Sequence, residues 1–488
     1  MAGSKASLMS PDDRKQFAVR ALDNGNVSAL AAETGVSRKF GHEVKNTANR
    51  ALDDAFRQKN GYGKAVRTVD VTQEFIIMAV VLLCMVGKCP FSAVIQIVKL
   101  LFGYHLCKGT IHNILCEAID RAKSQNSLED LSNVEHITVD EIFQAGRPVL
   151  AGVEQRSGYS FMLTEAENRN AETWGLELEI CKEQGLAPLT ANADGGLGLR
   201  KAMREVFPQV PCDSDVFHAL KDITEVLGYV ERKACGALSA VEETQKKMEK
   251  NRHKGKKASQ FSRKLGSQSH RAEILMHTHD TLETIYKFLR DDVLQFNELP
   301  FKARHELFFW LMGEIKAIEE NYKKLPALRK KLENQAETLL APFQRLDQEV
   351  IDLAAETDIP IESLRGMIAP LKKQQDSIEY EMAYAEKANE LGEEKADRVV
   401  ERMLGILGHA YRTSSAIENF NSKLRTYFNY RREIGHGFLE LFRFYHNHSA
   451  ILRSRKEERV GKSPAEVLTG KPHRHWLAML GYVMPFAA

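Results

Sequence analysis

Hydrophobic spacing changes character several times along this chain, and each change marks a boundary. Up to about Ala55 the apolar positions recur at helical spacing. They predict short helices over Asp12–Leu22, Val27–Thr34 and Arg38–Ala55. Asp23-Asn24-Gly25-Asn26 and Gly35-Val36-Ser37 interrupt them, with Ser37 placed to cap the third. Gly61-Tyr62-Gly63-Lys64 reads as a linker into a second helical block, Thr72 to Ser124. From Val134 the period shortens to that of strands: Ile137–Phe143, Pro148–Val153 and Tyr159–Thr164, the last two joined by a turn at Arg156-Ser157-Gly158. A helix capped by Asn170 runs to about Gln184, and a strand ending at Asp194 follows. After it come a helix over Leu199–Val206 and a fifth strand over Gln209–Asp213. Helical spacing then returns over Ala219–Lys250, Glu273–Phe296, Phe301–Tyr322, Leu328–Glu356 and Ile361–Glu401. A last predicted helix opens at Ser414 or Ser415 and carries Glu418 in its first turn.

Composition narrows the class. The chain has 488 residues, 43% hydrophobic and 27% charged, as in an ordinary globular protein, and is long enough for about three domains. Net charge is +2, so any nucleic-acid role must rest on local basic patches. The seven cysteines form no CxxC pair, which argues against a zinc site or a disulfide framework and for a reducing compartment. The most apolar run, Phe75 to Val86, is too short to span a bilayer, and the first residues lack the apolar segment of a signal peptide.

Several stretches carry candidate chemistry. Leu30-Ala31-Ala32-Glu33-Thr34-Gly35-Val36-Ser37 has the small residues, the glycine turn and the wedge residue of a helix-turn-helix. Ser37, Arg38, Lys39, His42 and Lys45 would then present a DNA-reading helix; the alternative is a helical hairpin with a solvated basic face. Cys107 to Leu115 could be a second such turn or a connecting core. Lys246 to Arg271 is dense in lysine and arginine, with Gly255, Gly266 and serines that suggest a flexible loop. Lys254, Lys256 and Lys257 are its candidate phosphate contacts. Trp310, in Leu307-Phe308-Phe309-Trp310-Leu311, reads first as core and second as a base-stacking residue.

Asp140 interrupts an otherwise apolar strand, Asp194 ends another, and Glu418 sits in Ser414-Ser415-Ala416-Ile417-Glu418-Asn419-Phe420-Asn421. In this order and context the three resemble the carboxylates of the DDE transposases. Asp215-x-x-His218 resembles the Asp/Cys-x-x-His signature of the DDE subset whose core is split by a helical insertion. The resemblance implies an α/β ribonuclease-H-like core with a mixed sheet, interrupted by a large all-α insertion and preceded by helix-turn-helix modules. The implied parts are a DNA-binding domain over 1–60, a second DNA-binding or connecting domain over 61–133, a core over 134–218 with 410–450, the insertion over 219–409 and a tail over 451–488. It further implies that Asp140, Asp194 and Glu418 hold two Mg²⁺ or Mn²⁺ ions, supported by Asp215 and His218. Asn421 and Arg425 would reach the DNA backbone. The implied partners are double-stranded DNA, both terminal inverted repeats and target, and further copies of the chain. The implied location is the bacterial cytoplasm, in association with the nucleoid. A metal-dependent nuclease of the same fold, and a DNA-binding protein with inert carboxylates, are the alternatives.

Overall fold

The computed structural model describes residues 9–23, 25–56, 69–255, 259–373, 377–409, 415–430, 436–454 and 456–484. The linker around Gly61, the cap position Ser414, and Lys256 and Lys257 lie outside them. The chain divides into two compact units, Met1–Asp70 and Val71–Ala488.

In the first unit, α1 (Pro11–Leu22), α2 (Val27–Thr34) and α3 (Arg38–Phe56) enclose Phe17, Ala21, Val27 and Leu30. The ends are set locally. Ser10 and Asp13 form a reciprocal capping box, Asn26 accepts from two backbone N–H groups of α2, and Ser37 Oγ accepts from Phe40 N at 3.1 Å. Gly35 ends α2 in the left-handed region at φ 68°, where a side chain would be strained, and the chain turns there into α3. Val36 packs on the small core, as a wedge residue does.

The second unit is built on a five-stranded mixed sheet within a mostly helical chain. Its helices begin with α4 (Gln73–Met85), α5 (Phe91–Phe102) and α6 (Lys108–Asn126). The strands are β1 (His136–Gln144), β2 (Arg147–Glu154), β3 (Ser160–Glu165), β4 (Thr190–Ala193) and β5 (Cys212–Ser214), in the spatial order β3-β2-β1-β4-β5. β2 is antiparallel to β1 and β3; β4 is parallel to β1 and β5. The fifth strand starts later than its sequence pattern predicts. Pro211 has no N–H for a ladder, so it contributes only its carbonyl, to Ala191 N at 2.9 Å.

Both faces of the sheet are covered. α7 (Ala171–Glu183) and α8 (Leu197–Val206) pack on the face that carries Ile137 and Val139. The opposite face carries Ile142 and is covered by α4 and α6 and by two helices from the end of the chain, α16 (Ser415–Tyr430) and α17 (His436–His448). Trp476, Leu477 and Leu480 of the tail join that same cluster.

Between β5 and α16 lies the helical insertion: α9 (Val216–His253), α10 (Ser259–Phe288), α11 (Phe301–Ile318), α12 (Leu325–Thr357), α13 (Ile361–Leu371), α14 (Ile378–Leu391) and α15 (Glu393–His409), with a core of their own. The basic stretch Lys246–Arg271 is mostly helix, not the flexible loop its glycines and serines suggest. Glu242–Lys246 and Glu243–Lys247 pairs at i,i+4 support α9 where the stretch begins, and among the described residues it leaves the helix at Lys254 and Gly255. Trp310 is also not core: it is 57% exposed, because α11 buries the stripe Phe308, Leu311, Met312 and Ile315 instead. The insertion is tied to the sheet edge through α12. Arg345 grips both oxygens of Asp213, and Thr338 Oγ1 lies 2.6 Å from Ser214 Oγ. Among the described residues no helix is long and apolar enough to cross a membrane.

The end of α17 makes this unit acid-sensitive. His446 and His448 are enclosed, and burial pushes their imidazoles down to about 3 and about 4. The unfolded chain takes up these protons below about pH 6.5 and the folded one does not, so stability is unaffected above that pH. Below it, each histidine costs about 1.4 kcal/mol per pH unit until its folded value is reached. Denaturant titrations at pH 7 and pH 5 should differ by about 2 kcal/mol for each. His446→Gln, which keeps a donor toward Gly158 O, should remove one share of the difference; an unchanged pH slope would show that His446 is not the group responsible.

Candidate active site

Side chains alternate along β1, so Asp140 shares a face with Thr138 and Ile142, the face that α16 covers. α16 buries Ile417, Phe420, Asn421, Leu424 and Tyr427, a helical stripe with one amide in it. That amide meets the aspartate: Asn421 Nδ2 donates to Asp140 Oδ2 at 2.9 Å, while Oδ1 accepts from the Glu141 backbone N–H at 2.9 Å. Asn421 is fully buried, so the expectation that it reaches the DNA backbone is corrected; it orients Asp140. Nothing in the sequence distinguishes this amide from a surface one except its place in an otherwise apolar stripe.

Glu418 follows Ile417 in the first turn of α16, where the helix dipole favours an anion. It points to the same space as Asp140. One ligand atom from each of Asp140, His218 and Glu418 lies within 4.8 Å of the others. His218 comes from the first turn of α9, whose start is fixed by Asp215. Asp215 Oδ1 accepts from Phe217 N at 2.9 Å and Oδ2 pairs with His218 Nδ1 at 2.5 Å, leaving Nε2 3.9 Å from Glu418 Oε1. Arg425 lies beyond, 4.0 Å from the other Glu418 oxygen.

Asp194 stands immediately after β4, beside β1 in the sheet. Its carboxylate is taken by the Gly195 N–H and its carbonyl by Arg200 Nε at 3.2 Å. A Cβ at Gly195 would come within 2.7 Å of Gln335 Nε2 on α12, the far end of a flexible side chain that can move aside. Asp194 is near enough to His218 to act on its charge, but it is outside the 4.8 Å group. Thus Asp140, Glu418 and His218 converge, with Asp194 at the side. Glu141 alternates to the opposite face and pairs with Arg169.

The electrostatics match this crowding. Burial pushes the Asp140 carboxyl up to about 7, against the opposing charge of His218. For His218 burial works downward, but the hydrogen bond to Asp215 and the carboxylates of Asp194, Asp215 and Asp140 outweigh it and raise the imidazole to about 9. A protonated His218 therefore serves as counter-ion within the carboxylate cluster. Without that charge, two carboxylates drawn to about 4 Å would repel by roughly 4 kcal/mol at an effective dielectric of 20. The carboxylate oxygens of Asp140 and Glu418 are donors of the kind a hard divalent cation takes, whereas a protonated His218 can balance charge but not ligate.

In the first unit, Arg38, Lys39 and His42 are exposed on α3, Lys45 is half-buried, and Ser37 is used as the cap. Lys254 is exposed at the end of α9.

No family model matches this chain. A segment of 66 residues is 38% identical to the transposase for insertion sequence element IS6120 of Mycolicibacterium smegmatis. The match covers 13% of this chain and 20% of that protein, so the chain spans about a fifth of the length of this relative. The likeness supports a transposase-like relationship for this chain.

Proposed function

We propose that this chain is a DDE-type transposase that binds the ends of a mobile element, cuts them and joins them to target DNA. The observation that carries the reading is the meeting of Asp140, from the middle of β1, with Glu418, from the first turn of α16, across the whole helical insertion. The strand order β3-β2-β1-β4-β5, with only β2 antiparallel to its neighbours, supports a ribonuclease-H-like core. The short likeness to an insertion-sequence transposase supports the mobile-element context. Exposed Arg38, Lys39 and His42 on α3 support recognition of double-stranded terminal repeats by the first unit, in a homo-oligomer that pairs two ends.

Asp140 and Glu418, with Asp194 alongside, would hold Mg²⁺ or Mn²⁺. Two such ions would supply an activated water and stabilise the leaving 3′ oxygen. The chain's own groups prepare that site. Asn421 fixes one oxygen of Asp140, Asp215 fixes the His218 ring, and the glycine loop carries Asp194 to the end of β4. His218 holds a proton at Nδ1 against Asp215, which leaves Nε2 turned toward Glu418.

The test is incubation of purified protein and Mg²⁺ with labelled duplexes taken from the DNA flanking the gene, scoring cleavage, joining and binding separately. Wild type should cut and join. Asp140→Asn and Asp194→Asn should lose both activities and keep end binding. Cleavage without joining would support a nuclease instead, and binding without cleavage a DNA-binding protein with inert carboxylates. Full activity in Asp194→Asn would remove that residue from the site.

A further inference from the structure

About three turns along α9 from His218, roughly 16 Å, the helix returns to the same angular position at Tyr229. The face that turns His218 toward the candidate site therefore also carries Tyr229. There the surface changes character. Tyr229 and Tyr322 lie 5.1 Å apart with their rings tilted by 32°. Around Tyr229 stand Arg232, Lys233 and Lys324, with charged centres 5.8, 5.3 and 5.0 Å from the ring centroid. These cations come from two separate elements, α9 and the residue before α12, and the rings hold them in one place.

The two hydroxyls differ: burial and the neighbouring Tyr229 raise Tyr322 to about 12, whereas Tyr229 is shifted the other way. The hydrogen bond from Tyr322, then that from Lys233, together with the charges of Lys233 and Lys324, hold the Tyr229 phenol below its ordinary value. The same cations would attract an anionic oxygen of a ligand. Of the carboxylates between His218 and this patch, Asp222 is neutralised by Lys331 at 2.5 Å, whereas Glu225 stays exposed. A polyanion following α9 would thus be repelled at Glu225 and held again at Tyr229.

We infer that the patch of Tyr229, Arg232, Lys233, Tyr322 and Lys324 is a docking surface for the phosphate backbone of duplex DNA flanking the cut. This rests on the proposed DNA-cutting role of the site at His218. One strand places a phosphate every ~3.4 Å along the duplex axis, so the patch receives phosphates roughly five base pairs from the scissile one. Contact is with backbone only, and therefore independent of sequence.

The experiment compares wild type with Arg232→Gln/Lys233→Gln/Lys324→Gln, measuring affinity for a duplex of arbitrary sequence between 50 and 200 mM salt. Each phosphate-bound cation contributes about 0.9 to the slope of log affinity against log salt. The triple variant should therefore lose about 2 to 3 from that slope and at least about tenfold in affinity at low salt. A control, Lys302→Gln/Lys316→Gln/Lys395→Gln, removes the same charge from exposed positions elsewhere and should change the slope little. An unchanged slope in the patch variant, or an equal loss in the control, overturns the assignment. If wild type cleaves DNA while the patch variant binds normally, only the patch is wrong. If wild type binds no duplex, the proposed function and the patch fall together. Should the triple variant not melt cooperatively, Lys233→Gln alone, with an expected slope change of about 1, decides.

Discussion

Glu418→Gln is expected to lower DNA cleavage by about a thousandfold, the scale of removing one fixed electrostatic group from a reaction centre, while leaving the protein folded and able to bind DNA. The amide keeps the size and hydrogen-bonding reach of the carboxylate but removes the charge a divalent cation requires. Glu418 sits on the half-buried start of α16, so the substitution disturbs little packing. Two acidic neighbours provide the comparison. Glu141 alternates to the opposite face of β1 and pairs with Arg169, so Glu141→Gln should stay within a few fold of wild type. Asp215 caps α9 and orients His218, so Asp215→Asn should cost an intermediate factor of about 10 to 100, as expected when an orienting partner is lost. The graded order Glu418, Asp215, Glu141 is what single-turnover cleavage in Mg²⁺ should read. Robust cleavage by Glu418→Gln would remove α16 from the chemistry altogether.

The largest expected effect on stability lies away from the site, at Arg443. This guanidinium is buried on α17, 3.6 Å from Glu129 and 3.7 Å from Glu440, and donates to Phe161 O at 3.0 Å and Asn126 O at 3.4 Å. It joins α17 to β3 and to the residues after α6. Arg443→Met fills the space but leaves two enclosed carboxylates without their cation, and should cost about 3–5 kcal/mol in denaturant unfolding. The sign of the pH dependence is a second check. Burial already raises Glu129, against the opposing charge of Arg443, and removing the arginine would raise it further. A carboxyl whose folded value lies above its unfolded one loses stability as pH rises, so the variant should suffer more at pH 8 than at pH 5. Adding Glu129→Gln should recover part of the loss at pH 8. No recovery would mean that packing, not charge, sets the cost.

Much of the order of elements was legible in the spacing of apolar residues. The alternation around Asp140, the Asn170 cap and the helical run between His218 and Glu418 all reappear as β1, α7 and the insertion. Local signals were misleading where a nonlocal or cumulative effect decided the outcome. Glycines and serines between Lys246 and Arg271 suggest a loop, yet the i,i+4 pairs and good helix formers around them carry α9 to His253. Trp310 sits in an apolar run and reads as core, but only one face of α11 is buried. Candidate site residues were legible where a charge stood in an apolar context, as Asp140 does. The burial of Asn421, and of Arg443 away from the site, was not legible, because a polar side chain's burial depends on what packs against it from hundreds of positions away.

The insertion also imposes a timetable on synthesis. Asp140 and His218 leave the ribosome well before Glu418, and at ~5–20 residues per second the intervals run from roughly ten seconds to a minute. During that time the three-helix unit is already made and can fold, while the carboxylate cluster lacks the α16 glutamate and the amide that orients Asp140. On the proposed function, a nascent chain would gain its DNA-binding unit before its cutting site is complete. A message broken within the insertion would then yield a product that carries the three-helix unit but lacks α16, and on that reading it would compete for DNA sites with the chain that reaches α16.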